Sequence, residues 1–310
     1  DLTTAYAARA AARITGAHLV VDFHEWSSEN VRWNRKLKRW ETYGYDWKRE
    51  LQVAERLCLA EASEVITVCD SIADAMAAEL GNGRRPVVIR NVPQLNAIPT
   101  RDYAPLKQQF GLPDECFVLR YQGGTGTTRL LEPVIEALAL APRCTLVIRG
   151  PSLDFYGDHY RKLAQLAGAS ERLILAPPVP SRDVVAAARG ASAGIYTVLD
   201  VGRNFRFALP NKIFEYMAAN VPVLSADYPE PAKIIAEHRI GLTFDPHSPR
   251  SIAAAINRMI DDPAFAAECR ANTQDALSAL GADREWEKIV AIYSGLKRPF
   301  AHATSRAFQD

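Results

Sequence analysis

The amino-acid sequence predicts an α/β protein with two domains, each built on a parallel sheet covered by helices on both faces. The chain has 310 residues, which is too long for one typical domain. Hydrophobic residues make up 48% of it, enough to form large cores. Short apolar, β-branched runs alternate with helical patterns almost throughout, and this order is typical of parallel sheets.

The predicted strands are apolar runs at residues 18–23, 64–69, 86–91, 116–122, 144–150, 172–178, 193–198, 221–226 and 240–245. The predicted helices lie at 48–62, 71–80, 129–141, 156–168, 181–190, 210–219, 229–238 and 248–260, and a final amphipathic helix at 281–296. Because crossovers between parallel strands are right-handed, the loops that follow the strands reach one edge of each sheet, where ligands bind.

The alternation is interrupted once, by a stretch rich in proline and polar residues. We expect this stretch, residues 96–113, to link a first domain at 1–95 to a second at 114–280, with a helix and tail at 281–310. The first domain then has three strands, whereas a doubly wound domain usually has five or six. We therefore expect the front of the first domain to be missing from this chain.

Composition and charge argue against several classes of protein. The formal net charge of +1 gives no reason to expect nucleic-acid binding. The chain has no apolar run near the roughly 20 residues that span a bilayer. Its five scattered cysteines and six histidines lack metal-ligand spacing, so we predict a cytoplasmic protein with reduced thiols and no metal.

Residues 31–50 combine aromatic and basic side chains. The segment holds Trp33, Trp40 and Trp47, with seven basic residues against three acidic ones. One interpretation is a solvated loop and helix whose aromatic rings pack onto the domain. The other is an interfacial patch that contacts lipid headgroups or a lipid-linked acceptor.

The second domain opens with a strand, a glycine turn and a predicted helix. Gly123 and Gly124 have no Cβ, so the backbone there can approach a ligand closely. Arg129 is placed at the predicted helix start, where a cation opposes the helix dipole. An anionic ligand such as a diphosphate would offset this, because free N–H groups at a helix start also bind anions.

The segment 207–227, FALPNKIFEYMAANVPVLSAD, is more specific. Pro210 suits the first position of a helix, and Asn211 and Lys212 follow in its first turn. Lys212 again opposes the helix dipole and suggests a phosphate partner. Glu215, one turn later, can accept hydrogen bonds from both hydroxyls of a ribose.

These motifs resemble the retaining glycosyltransferases of the GT-B architecture, in the large bacterial group called family 4. The resemblance rests on PNKIFEYMAANVPVL, YQGG with RLLEPVIEAL, LVIRGP, IGLTFDPHSPRSIAAAI and DFHEW, and covers roughly residues 1–290. It implies that two Rossmann-like domains transfer a sugar from a nucleotide-diphosphate donor to a glycan or lipid-linked acceptor. It implies no cofactor and no metal, and a peripheral contact with the inner membrane would fit a lipid-linked acceptor.

The resemblance also implies roles for single residues. Glu215 matches the glutamate that holds the ribose of the donor, and Arg129 matches a basic residue that neutralises the diphosphate. Gly123 and Gly124 match the glycine turn that faces the sugar and phosphates. His24, in DFHE, matches a first-domain histidine beside the transferred sugar.

Asn211 and Lys212 match a turn at the phosphate-facing end of a helix. The sequence also departs from the family pattern. Phe207 stands eight residues before the ribose glutamate, where the family has a second glutamate that faces the donor sugar. The usual Arg and Lys pair of the basic turn is reduced to Gly124 and Arg129, so Lys212 or Arg149 must supply the second charge.

Two other functions remain open at this point. Non-hydrolysing nucleotide-sugar epimerases share the two-domain architecture, although the PNK-x-FEY block is not their signature. A non-catalytic module that binds sugar nucleotides is the second alternative, and Phe207 in place of the glutamate favours it.

Overall fold

The computed structural model describes residues 2–296, except for residues 82, 94, 96 and 97. The chain forms two compact units. The first contains the chain up to Ser28, Gly44–Ile89 and the final helix from Trp286. The second contains Glu29–Tyr43 and Arg90–Glu285. The domain bounds given above stay predictions, and the predicted tail at 297–310 lies outside the described residues, as do residues 96 and 97 of the predicted linker.

The strands are β1 (Val20–Phe23), β2 (Val31–Asn34), β3 (Arg39–Thr42), β4 (Glu64–Thr67), β5 (Val87–Val88), β6 (Phe117–Gln122), β7 (Cys144–Arg149), β8 (Leu173–Ala176), β9 (Ala193–Tyr196), β10 (Val223–Ala226) and β11 (Gly241–Phe244). The helices are α1 (Ala5–Thr15), α2 (Tyr45–Glu61), α3 (Asp70–Glu79), α4 (Leu106–Gln109), α5 (Glu132–Ala137), α6 (Leu153–Leu166), α7 (Arg203–Arg206), α8 (Asn211–Ala218), α9 (Pro229–His238), α10 (Pro249–Asp261), α11 (Pro263–Leu280) and α12 (Ala282–Gly295). All nine predicted strands are present, with bounds that differ by up to three residues.

The first unit is built on a parallel sheet with the strand order β1-β4-β5. In β1 the side chains alternate, so that Val21 and Phe23 are buried while Asp22 is exposed. This period of two places Asp22 on the opposite face from the core. Residue 24 follows directly at the carboxyl end of the strand, which is the ligand edge of a parallel sheet.

The second unit is built on a six-stranded parallel sheet with the order β11-β10-β9-β6-β7-β8. Every residue of β6 and β7 is buried, because helices cover both faces of these central strands. Leu119 and Tyr121 belong to the core on one face, and Val118 and Val147 to the core that includes α8. The predicted fold class is confirmed.

The segment 31–42 is a β-hairpin, so the predicted loop before α2 is wrong there. β2 and β3 pair antiparallel, and Trp33 stands opposite Trp40 with ring centroids 5.5 Å apart in an edge-to-face arrangement. Asn34 accepts hydrogen bonds from the backbone N–H groups of Lys36 and Leu37, each at 3.0 Å, which closes the turn. These cross-strand and turn contacts outweigh the low strand propensity of a basic segment.

The helix predicted at 181–190 is also wrong, because the structure has two 3₁₀ turns, Ser181–Asp183 and Ala186–Ala188. The buried Asp183 carboxylate accepts hydrogen bonds from the Thr100 backbone N–H at 2.6 Å and from the Tyr103 hydroxyl at 2.9 Å. These tertiary bonds hold the turn in place of a continuous helix.

Candidate active site

A cavity of about 420 Å³ opens at the carboxyl edge of the second unit's sheet, between the ends of β6 and β7 and the start of α8. Gly123 and Gly124 of the glycine turn and Lys212 and Glu215 of α8 line it. The structure therefore brings together four of the residues predicted from the sequence. Their roles toward a ligand remain predictions.

Glu215 is fixed by a neighbour on β6. The Gln122 side-chain amide donates a hydrogen bond to Glu215 Oε2 at 2.6 Å. Burial raises the pKa of Glu215, while the bond from Gln122 and the charges of Lys212 and Arg120 lower it. One carboxylate oxygen is thus held in place by the protein, and the carboxylate lies in a cavity where it can accept further bonds.

Lys212 lies in the first turn of α8 and is half-buried. Its ammonium nitrogen lies 5.2 Å from the centroid of the Tyr121 ring, a distance typical of cation–π contacts. Burial and the charge of Arg129 lower the pKa of Lys212 to about 8, against the effect of Glu215. The charged form of Lys212 is therefore less stable here than in water, and the negative charge of an anionic ligand would stabilise it.

The glycine turn depends on close backbone approach. Gly123 has a φ of +111°, and a Cβ built there would lie 3.0 Å from the Lys212 side chain. A Cβ on Gly150 would lie 1.9 Å from the Gly123 carbonyl oxygen. The Gly123 backbone N–H in turn donates to the Arg149 carbonyl at 3.1 Å. Side chains at Gly123 and Gly150 are therefore incompatible with this turn.

Arg129 was expected at the start of a helix, but α5 begins three residues later, at Glu132. The expected position of Arg129 is therefore wrong. Leu130 has a φ of +49°, a left-handed conformation that interrupts the helical backbone between Arg129 and α5. The positive charge of Arg129 nevertheless acts on three neighbours: it adds to the lowering of the Lys212 pKa by burial, and it opposes the rise that burial causes in the pKa of Tyr121 and of Tyr196. Arg129 thus adds a second cation to the group around Lys212.

The cavity also contains polar residues that sequence reasoning did not assign to it. Arg120 is fully buried in β6, and Gln122 lies two residues further along the same face. Arg149, named above only as an alternative charge, lines the cavity and donates to Gln109 Oε1 at 3.0 Å. A charged residue inside the apolar run of β6 was the available signal, since an arginine is almost never fully buried without a partner.

Three further sequence expectations concern the region around α8. Pro210 is the N-cap residue, so α8 begins at Asn211, one residue later than predicted. Asn211 is exposed and does not line the cavity. Phe207 is half-buried at the end of α7. The cavity residues therefore include Lys212 but not its neighbour in the PNK turn.

His24 belongs to the first unit and lies at the carboxyl end of β1. Its Nε2 lies 3.1 Å from Asp22 Oδ2, and both side chains are about half exposed. Together with Leu2, Glu25 and Ser27 they line a cavity of about 290 Å³. Asp22 and His24 thus lie close together at the end of β1, and this carboxylate can orient the imidazole.

The fold and this site define a class of protein. A doubly wound parallel domain whose carboxyl edge carries a glycine turn, clustered cations and one fixed carboxylate is suited to bind a phosphorylated nucleoside. The chain belongs to the family Glycosyl transferases group 1, whose model matches residues 105–276. The model named Glycosyl transferase 4-like domain matches residues 1–92.

Two similar proteins are glycosyltransferases by name. The chain is 28% identical over 189 residues to a D-inositol 3-phosphate glycosyltransferase of a Nocardioides species, which covers 55% of the chain and 40% of that protein. It is 26% identical over 244 residues to the 2-deoxystreptamine glucosyltransferase of Streptomyces kanamyceticus, which covers 75% of the chain and 57% of that protein. The chain thus spans about half the length of the curated relatives it matches.

Solved structures show the same fold. HepE from Anabaena in complex with UDP superposes with a TM-score of 0.76 at 18% identity, covering 96% of this chain and 77% of that one. Sucrose-phosphate synthase from Thermosynechococcus elongatus gives a TM-score of 0.68 at 17% identity, covering 89% and 67%. The GT-B architecture predicted from the sequence is confirmed.

Proposed function

We propose that this chain belongs to an enzyme that transfers a sugar, with retention of configuration, from a nucleotide-diphosphate donor to a glycan or lipid-linked acceptor. The observation that carries the proposal is the cavity at the carboxyl edge of the second unit. There the Glu215 carboxylate is fixed by Gln122 at 2.6 Å, and the Lys212 ammonium has its pKa lowered to about 8. A ribose and a diphosphate provide the hydroxyls and negative charge that these two groups need.

The cations support a chemical role for this cavity. Transfer breaks the bond between the anomeric carbon and the diphosphate, and negative charge grows on the leaving group. Lys212, Arg129 and the free N–H groups at the start of α8 stabilise that charge. The oxygen of the incoming hydroxyl forms the new bond to the anomeric carbon, and the leaving phosphate takes its proton. In this proposal the reaction needs neither a metal nor another cofactor.

The hairpin at 31–42 supports a membrane-bound acceptor. Its tip carries Arg35, Lys36, Lys38 and Arg39 around Leu37, whose side chain is 57% exposed. One apolar side chain among four cations suits the headgroup region of an anionic bilayer. We therefore propose peripheral contact with the inner membrane. Within the described residues, no helix is both long and apolar enough to cross a bilayer.

The proposal is tested first on donor binding. Glu215→Ala should weaken UDP binding by about tenfold or more, since hydrogen bonds to a charged group contribute about 1.5–3 kcal/mol each. Calorimetry on the folded variant measures this, with Glu237→Ala, an exposed glutamate of α9, as the control. Unchanged affinity in Glu215→Ala would contradict the assigned ribose contact.

The assay with radiolabelled sugar nucleotides separates the proposal from its two alternatives. Transfer to an acceptor with an unchanged anomeric configuration supports a retaining glycosyltransferase. Interconversion of the sugar within the nucleotide indicates an epimerase, and donor binding without turnover indicates a non-catalytic module. The assay uses the complete natural protein, because this chain spans about half the length of its relatives.

A further inference from the structure

Arg120 is a charged residue in the middle of a central strand. β6 lies between β9 and β7, and the Arg120 side chain has no exposed surface. Its Nε, Nη1 and Nη2 atoms are all buried and have no hydrogen-bond partner among the described residues. A buried guanidinium without hydrogen bonds is costly, because the charge has lost its hydration. Such a side chain requires an explanation beyond packing.

The position of Arg120 relates it to Glu215. Arg120 and Gln122 lie two residues apart on β6 and therefore on the same face of the sheet, the face against which α8 packs. Both line the cavity together with Glu215. Gln122 holds Glu215 Oε2 at 2.6 Å, and the charges of Arg120 and Glu215 act on each other. Arg120 and the fixed carboxylate thus line the same cavity, and Arg120 lies two residues before Gln122 on β6.

We infer that Arg120 is a positioning residue that keeps Glu215 ionised and turned toward Gln122, so that the other carboxylate oxygen is free for the ribose of the donor. This inference rests on the proposed function for its last clause only. The amide of Gln122 supplies direction but no charge. Arg120 supplies a charge that the ligand does not displace, because its nitrogens are buried.

The surroundings of Glu215 contain few other charges that could do this. Besides Glu215 itself, five titratable groups in the described part of the chain act on Glu215, Arg120 or Lys212. They come from β6, β7, α8 and the turn after β6, and they are Arg120, Arg149, Lys212, Tyr216 and Arg129. Lys212 and Arg129 are the cations proposed to meet the diphosphate. Arg149 already donates to the Gln109 side chain and the Pro177 carbonyl. Burial and Arg149 lower the pKa of Arg120 to about 9, so it stays charged at neutral pH.

The acidity of Glu215 can be measured without any nucleotide. Burial raises the pKa of Glu215, and the hydrogen bond from Gln122 and the charges of Lys212 and Arg120 oppose that rise. Removing Arg120 should therefore raise the pKa of Glu215 further, by about one unit or more, the scale on which a neighbouring opposite charge acts. We would follow the Glu215 carboxyl carbon by ¹³C NMR in glutamate-labelled protein, assigned with Glu215→Gln, in wild type and in Arg120→Met.

Two further variants separate the charge from the packing of the side chain. Arg120→Lys should restore most of the wild-type Glu215 pKa, because it keeps the charge. Arg172→Met removes an arginine that bonds the carbonyls of Leu138, Ala141 and Cys144, and it should leave the Glu215 pKa unchanged. A folded Arg120→Met protein whose Glu215 titrates as in wild type would overturn the inference.

UDP affinity measured against pH then tests the link to the donor. In Arg120→Met the loss of affinity on the acid side should begin about one pH unit higher than in wild type, which is up to a tenfold weaker affinity at a given acidic pH. When both proteins also carry Glu215→Gln, Arg120→Met should no longer shift the pH dependence of UDP affinity. If wild type does not bind UDP but Glu215 still shifts in Arg120→Met, the proposed function fails and the positioning role stands. If UDP affinity falls over the same range of acidic pH in wild type and in Arg120→Met, the inference fails instead.

Discussion

At the scale of single residues, Lys212 illustrates how the fold prepares a charge for a ligand. The helix α8 places its ammonium over the Tyr121 ring, beside Gly123 and near Arg129. A larger residue at 123 would occupy the space that the lysine uses. A partly desolvated cation at a helix start destabilises the folded protein, and an anionic ligand that binds there offsets this free energy.

This arrangement predicts a pH dependence with opposite signs for folding and for binding. The pKa of Lys212 is lowered to about 8 in the folded chain, so the unfolded chain binds the proton more tightly. The charged lysine therefore lowers the free energy of unfolding below about pH 8. This cost is lost as the pH rises from about 8 toward the ordinary pKa of a lysine. A diphosphate favours the charged form, so UDP affinity should fall as pH rises above about 8. Calorimetry across pH 6.5–9.5 measures this, with uridine as a ligand that lacks the diphosphate.

Lys212→Met provides the control for that titration. It should bind UDP about tenfold or more weakly at pH 7, as expected for the loss of a charged contact. It should also lose the decline above pH 8. A decline of the same size in the variant would assign it to another group in the cavity.

His24 belongs to the residue scale as well, but to the other unit. Its Nε2 is 3.1 Å from the Asp22 carboxylate, at the ligand edge of β1. We expect His24→Ala to lower the transfer rate by about 10²-fold or more, the loss typical of a positioned polar group, with little change in UDP affinity. Rates in the complete natural protein and calorimetry measure the two quantities. A rate near wild type would show that His24 is structural and only closes the end of the strand.

At the scale of elements, the hairpin β2–β3 is attached to the second unit while its tip is exposed. Trp40 Nε1 donates to Thr127 Oγ1 at 2.9 Å, which joins the hairpin to the loop that follows the glycine turn. Glu29, just before β2, is buried and pairs with Arg203 at 2.8 Å. These contacts hold the hairpin to the second unit, while residues 35–39 at the tip are exposed. The basic tip can thus contact another surface without disturbing the core.

The hairpin should therefore bind anionic bilayers through its tip. Vesicles that contain phosphatidylglycerol should carry the protein in flotation at low salt, and vesicles of phosphatidylcholine should not. Arg35→Glu with Lys36→Glu should weaken the partition by about 30-fold or more, because each basic residue contributes about 1 kcal/mol. Leu37→Glu tests the apolar contact. Trp286→Ala, an exposed tryptophan outside the hairpin, is the control.

The absence of flotation at low salt would contradict this prediction. So would binding that survives both tip variants. If the protein instead floats only when Trp286 is intact, the contact lies on the first unit and not on the hairpin.

At the scale of the whole molecule, the parallel fold followed from the sequence because its central strands β6, β7, β9 and β10 are buried on both faces and read as continuous apolar runs. The glycine turn and Glu215 also followed, since their residue types are restricted by backbone approach and by chemistry. The hairpin did not, because its stability comes from a Trp33–Trp40 pair and an Asn34 turn inside a basic segment. Arg120 was missed because only the folded chain brings it to the same cavity as Glu215.

The division into two units makes a final prediction about where a nucleotide acts. Residues of β6, the glycine turn, Gly150 and α8 all belong to the second unit, as do the groups expected to contact UDP. A ligand that binds only the native state at 100 times its Kd stabilises it by about 2.7 kcal/mol. Amide hydrogen exchange should therefore slow in peptides from 117–129 and 211–218 when UDP is added, while peptides from β1 and β4 change little. Protection confined to β1 and β4 would place the nucleotide in the first unit and would contradict the assignment of the donor to the cavity around Glu215.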